Sequence, residues 1–126
     1  VPRGYGRGRG WGGRSGLSGW LLKLLLLLLI REEPSHGYDL ASKLETFGYF
    51  IQGRSGMGPI YRLLRELEME GLIISSWETP TGMGGPARRI YTITPLGEQT
   101  LALWIKELIE LRDFIDTLLR KYEERK

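Results

Sequence analysis

Residues Arg54 to Leu72 read RSGMGPIYRLLRELEMEGL, and the fold of the chain turns on this stretch. Pro59 suits the first turn of a helix, where its fixed φ fits and its missing N–H would be unpaired anyway. Ile60, Leu63, Leu64 and Leu67 recur at helical spacing and make one apolar face. Gly71 stops the helix. Tyr61, Arg62 and Arg65 point away from the apolar face, and Glu66, Glu68 and Glu70 come only toward the end. The first half is thus basic and aromatic, at the end of a helix where the dipole and unpaired N–H groups favour an anion. Taken alone, the same pattern also describes an ordinary amphipathic surface helix.

Upstream, Leu17 to Ile30 reads LSGWLLKLLLLLLI. Lys23 lies inside the run, Arg31-Glu32-Glu33 follow at once, and no small-x-small cleavage site is present, so a signal peptide is not expected. A bilayer span takes roughly 20 residues, more than this run offers. A helix apolar all round is buried on several sides. Part of this one, through Trp20, Leu24 and Leu27, is expected to meet a second subunit. Pro34-Ser35 breaks the chain, with Ser35 as a cap, and His36 to Phe47 predicts a second helix with Leu40, Leu44 and Phe47 inward. His36 is expected to hydrogen-bond locally at that helix start. Gly48 ends the helix, and Tyr49 to Gly53 connect it to the third.

Downstream, Leu72 to Trp77 and Ile90 to Thr94 predict two paired strands. The glycine-proline loop Thr79 to Ala87 joins them, and Arg88-Arg89 open the return strand. Thr94-Pro95 starts a last helix. Its positions Leu101, Trp104, Leu108, Leu111, Ile115, Leu118 and Tyr122 keep an unbroken 3-4 spacing, the pattern of a coiled-coil seam. A rod of about 45 Å exceeds what a small core can cover, so a self-complementary homodimer is expected along this helix.

Composition sets the limits. The chain has 126 residues, no cysteine and one histidine. Disulfides, thiolate metal sites and cysteine nucleophiles are excluded; no metal or cofactor and no enzymatic activity are expected, and the chain suits a reducing, cytoplasmic setting. Residues 1–16 are rich in glycine and arginine, which predicts a disordered tail; its first residues, Val-Pro-Arg-Gly, resemble part of a protease cleavage site. The tail holds four of the 18 basic residues and no acid, which leaves 14 basic against 15 acidic, a net of −1 for the rest. Nucleic-acid binding by the folded part then requires a local basic patch.

The pieces resemble the PadR-like family of transcriptional regulators. Pro34-Ser35-His36-Gly37-Tyr38-Asp39-Leu40 is similar to that family's "HGYEL" entry to helix two. Gly58-Pro59-Ile60-Tyr61 through Leu64, Leu67-Glu68 and Glu70-Gly71-Leu72-Ile73 resemble "GTIYxxLxxLExEGLI". Gly84-Gly85-Pro86-Ala87-Arg88-Arg89-Ile90-Tyr91-Thr92-Ile93-Thr94 with Gly97 resembles the wing, "GGPxRKYYxLTxxG". The single last helix is similar to the smaller subfamily. Pro59 stands where many members carry Thr or Ser, and Gly56 where Ser is common.

The resemblance implies a mainly α fold with a small β-hairpin: a disordered tail (1–16), a winged helix-turn-helix DNA-binding domain (17–94) and a long C-terminal dimerisation helix (95–126). It implies a homodimeric repressor on a pseudo-palindromic operator in double-stranded DNA, with the third helix in the major groove and the wing on the backbone. The expected DNA-binding residues are Arg54 and Ser55 at the helix entry, Tyr61, Arg62 and Arg65 on the helix, and Arg88 and Arg89 on the wing, Arg88 being favoured of the last two. The expected dimer interface is Trp20, Leu24, Leu27, Leu101, Trp104, Leu108, Leu111, Ile115, Leu118 and Tyr122. Some members bind flat aromatic compounds at the dimer centre, which makes Trp104 the candidate to touch a small aromatic ligand. No membrane partner is expected. The alternatives are a winged-helix protein adaptor and an RNA binder acting through the Gly/Arg tail.

Overall fold

A computed structural model describes residues 16–46, 58–78 and 88–125. The expectations for the tail before Gly16, for Phe47 and Gly48, and for Arg54, Ser55 and the glycine-proline loop lie outside the described residues. The elements run α1 (Gly16–Glu32), β1 (Ser35–His36), α2 (Gly37–Thr46), α3 (Gly58–Met69), β2 (Ile73–Glu78), β3 (Arg88–Ile93) and α4 (Pro95–Glu124). This is a mainly α fold, with a winged helix-turn-helix followed by a long last helix.

The leucine run makes α1 the centre of the protomer. It packs against α2, α3, α4 and β3, which bury most of the helix and leave the stripe Leu21, Leu25 and Leu28 half-buried. Trp20, Leu24 and Leu27 are 2%, 5% and 0% exposed. These three, expected at a dimer interface, are already removed from water within their own protomer. Lys23, the cation inside the run, is answered by the end of α3: its Nζ lies 2.9 Å from Glu70 Oε2 and 3.5 Å from Glu66 Oε1.

Helix α3 follows its sequence pattern. Ile60, Leu63, Leu64 and Leu67 are buried. Gly71 takes a φ of +82°, and the Gly71 and Leu72 N–H groups donate to the carbonyls of Glu68 and Leu67, both at 3.0 Å. This is a paired closing turn that favours glycine. The chain enters β2 at once.

The expected two-stranded hairpin is a three-stranded antiparallel sheet, ordered β1-β3-β2. Ser35 pairs with Tyr91 and His36 with Ile90. The segment read as a helix cap is thus an edge strand, too short to show the alternation by which strands are recognised. Ser35 does not cap α2: its hydroxyl donates to the Glu33 carbonyl at 2.9 Å and accepts from Lys43 Nζ at 3.3 Å.

Thr94 caps α4, its Oγ1 accepting from the Gly97 N–H at 2.9 Å and donating to the Gly71 carbonyl at 2.7 Å. Gly97 lies against the start of β2, where a Cβ would fall on the Leu72 carbonyl oxygen and 2.7 Å from Ile93 Cγ1. The first turns of α4 sit in the core: Leu101 and Trp104 are 5% and 8% exposed, with Trp104 edge-on to Trp20 at 6.1 Å between ring centroids. These two expected seam residues are core residues of the protomer. Leu108 and Leu111 are half-buried, and Ile115, Leu118 and Tyr122 are exposed beside Phe114 and Leu119.

Gly97→Ala is expected to cost about 2–4 kcal/mol, because backbone and not a flexible side chain occupies the space. Gly58→Ala, which meets nothing within 4 Å, should stay within about 0.5 kcal/mol of wild type. Urea midpoints at unchanged slope would check both.

Candidate nucleic-acid interface

One side of the molecule carries a groove of about 400 Å³ between α3, the start of α2 and the wing made by β2 and β3. Tyr61 and Arg65 stand four residues apart on α3, opposite the buried leucines, and form its floor. The Tyr61 ring lies across Gly37, where a Cβ would come within 2.7 Å of Tyr61 Cε1. Gly37 therefore lets the ring settle against the first turn of α2.

The wing supplies the other wall. Trp77 pairs with Arg89 and Ser75 with Tyr91, which puts Trp77, Arg89 and Tyr91 on one face of the sheet. The Arg89 guanidinium sits 5.0 Å from the Trp77 ring centroid, a cation–π contact on an exposed tryptophan. Arg88 alternates to the other face but still reaches the groove. Burial pushes the Tyr91 phenol above its ordinary value of 10.0, and neighbouring Arg89 partly offsets this. His36 lies at the rim, its Nε2 2.8 Å from Glu78 Oε1 and its Nδ1 3.3 Å from Asp39 Oδ2. The expected local bond is present, joined by a distant one to the wing.

The groove thus gathers Tyr61, Arg65, Arg88 and Arg89 of the expected residues, and none of its lining residues is a carboxylate. Arg65 and Arg88 have no ion-pair partner among the described residues. Arg62 does not line the groove. Its Nη1 is 3.0 Å from Glu66 Oε2, one turn on, and Glu66 also faces Lys23. The acids at the end of α3 therefore do neutralise one of its two arginines. Tyr38, Trp77 and Tyr91 also line the groove and were not singled out; for Trp77, its place opposite Arg89 in the strand register was the available signal. Trp104, the expected contact for an aromatic ligand at the dimer centre, is buried and does not line this groove. No group of three or more His, Cys, Asp or Glu residues able to hold a metal exists among the described residues. A concave, cationic, aromatic-lined face of this kind suits phosphate and planar groups.

A three-helix unit whose third helix is flanked by a hairpin wing defines the winged helix-turn-helix class. The comparisons narrow this to a family. The transcriptional regulator PadR-like family matches residues 25–103, and the chain belongs to that family. It is similar to the transcriptional regulator Rv3488 of Mycobacterium tuberculosis, 32% identical over 71% of this chain and 78% of the relative. A second curated relative from that organism is also 32% identical, and the chain spans only 42% of its length. Among solved structures, a conserved protein described as a potential transcriptional factor, TM0937, is 41% identical with a TM-score of 0.72, covering 90% of this chain and 96% of that one. A PadR family transcriptional regulator from Eggerthella lenta is 31% identical with a TM-score of 0.67, covering 78% and 80%.

The buried Tyr91 carries a pH signature. Its folded-state pKa is raised above the unfolded value of 10.0, so ionisation is easier in the unfolded chain. Stability is intact below about pH 10 and falls as pH rises through that value toward the folded pKa. Urea midpoints between about pH 9 and 11 should fall more steeply for wild type than for Tyr91→Phe.

Proposed function

We propose that this protein is a sequence-specific DNA-binding transcriptional repressor, working in the cytoplasm as a homodimer on a pseudo-palindromic operator. The observation that carries the reading is the acid-free groove in which Arg65 and Arg88 lie without carboxylate partners among the described residues. A guanidinium left unpaired beside an exposed helix is placed for a phosphate or a base edge. In this reading α3 enters the major groove with Tyr61 and Arg65 leading, and the wing arginines follow the backbone. Arg62, held by Glu66, sets the helix surface and does not read bases. No described helix is long and apolar enough to cross a membrane.

The homodimer rests on the outer part of α4. Phe114, Ile115, Leu118, Leu119 and Tyr122 are 44% to 69% exposed in one protomer, a larger apolar stretch than a monomeric helix normally leaves in water. A mate packed there covers Ile115, Leu118 and Tyr122, the seam residues that the protomer does not bury. Two-fold symmetry then sets half-site centres about 34–36 Å apart, or a multiple of that.

Two measurements decide the parts separately. On duplexes selected from genomic DNA, Arg65→Ala should cost about 1–3 kcal/mol on the preferred site and flatten preference at one base pair, while Arg62→Ala costs much less. Arg88→Ala should weaken all sequences alike and reduce the salt slope by about one unit. A flat salt dependence of the wild type would instead favour a protein adaptor. Sedimentation should show a dimer that Leu118→Asp dissociates without unfolding the core, since that position is exposed in the protomer; a wild-type monomer at micromolar concentration would refute the dimer.

A further inference from the structure

His36 is the only histidine in the chain. It sits where the two walls of the groove meet, on the two-residue strand β1, just before α2. Its ring reaches across β3 to Glu78, the last residue of β2, while its other nitrogen faces Asp39 in the first turn of α2. One side chain therefore spans the edge strand, the far strand of the wing and the helix start. Its side chain is 16% exposed. We propose that His36 is a positioning residue that latches the wing to α2 in its protonated form, so that DNA binding is coupled to the uptake of a proton. The inference rests on the DNA-binding reading above.

Donors and acceptors must match at the ring. Two carboxylates are acceptors only, and an imidazolium has two N–H donors, so the charged ring satisfies both contacts. A neutral ring has one donor. Whichever nitrogen keeps the hydrogen, the other turns a lone pair toward a carboxylate oxygen, and one of the two contacts at 2.8 and 3.3 Å opens. Opening the Glu78 contact unties the end of β2 from the start of α2, while the base of the wing stays anchored through buried Tyr91 and Ile73. Opening the Asp39 contact frees the first turn of α2, which carries Gly37 and with it the seat of Tyr61.

Charge around the ring works in the same direction. Asp39 from α2 and Glu78 from β2 favour the imidazolium. Arg65 from α3 and Arg88 and Arg89 from β3 oppose it, and Tyr38, Tyr61 and Tyr91 complete the surroundings. A phosphate entering the groove adds negative charge beside the ring and offsets the arginines. Binding therefore favours protonation, and by reciprocity protonation favours binding. Histidine is the side chain whose unperturbed charge change falls between about pH 5 and 8, which is the range to probe.

Two arms test this, both on the full chain. Affinity for the selected duplex at constant salt should fall about three- to tenfold from about pH 6 to about pH 8 in wild type and stay within about twofold in His36→Gln. Glu78→Gln, at a half-exposed carboxylate, should also flatten the profile, and it carries this arm if His36→Gln does not fold. In the second arm, without DNA, hydrogen exchange of the Trp77 and Arg89 amides, corrected for intrinsic rates, should slow at the lower pH in wild type but not in His36→Gln. A flat wild-type profile, or a slope retained by His36→Gln, overturns the proton coupling. If no duplex binds at any pH, the DNA-binding reading fails, and exchange protection that is independent of pH then overturns the latch on its own.

Discussion

One junction holds the molecule in register. Helix α3 ends at Gly71 with a positive φ, β2 leaves from Leu72, β3 ends at Ile93, and α4 begins at Pro95. All four meet within a few bonds: the Thr94 N–H donates to the Leu72 carbonyl at 3.0 Å, and its hydroxyl reaches the Gly71 carbonyl at 2.7 Å. Gly97 leaves room for the strand to lie directly on the helix. Because carbonyls freed by the end of one helix are taken up by the cap of the next, the angle between reading helix, wing and last helix is set by backbone bonds. Side chains in a loop would allow more play.

The second constraint is α1. An all-apolar helix in so small a protein must be the centre of the core, with neighbours on several sides. Lys23 limits how those neighbours arrive. Its ammonium is largely covered and needs both Glu66 and Glu70, which fixes the register of α3 along α1. A covered ion pair adds little net stability compared with apolar packing, because desolvation opposes it, yet removing one partner is costly. Its effect here is one of orientation. Turning α3 by one residue would lose both carboxylates and move Tyr61 and Arg65 off the groove. Arg62 belongs to the same network through Glu66 and supports the helix surface.

The sequence made much of this legible, where a period or a cap could be seen. The leucine spacing of α3, the Gly71 stop and the Thr94-Pro95 start each have a local cause and lie where the spacing puts them. What needed tertiary knowledge was missed. The strand at Ser35–His36 exists only because β3 passes beside it, and two residues hold no period. The surplus of leucine is taken up largely within the protomer, with Leu21, Leu25 and Leu28 left half-buried, and no count of apolar residues can divide a face between protomer and mate. Likewise the 3-4 spacing from Leu101 to Tyr122 is continuous, while its environment is not: Leu101 and Trp104 are in the core and Leu118 is in water. A uniform pattern reports that a face is to be covered, not by what. Of the candidate site, the arginines and Tyr61 could be read from their place opposite the apolar face, whereas the aromatic wall could not, since it depends on the strand register.

The division of α4 into a buried base and an exposed end bears on how two reading heads could act together. The base is welded to its own head by the Thr94 junction, by the Trp20–Trp104 contact and by Arg31, which holds Glu98 at 2.8 Å. The outer turns of the helix are left exposed. Any pairing there would be transmitted along a continuous α-helix to the head, with no flexible linker between. Small changes at the seam would swing the base of the rod, and with it the axis of α3, because the junction offers no hinge residue to absorb them. Spacing between two heads so mounted is set by helix geometry and not by chain entropy, which is what recognition of two half-sites at a fixed separation requires.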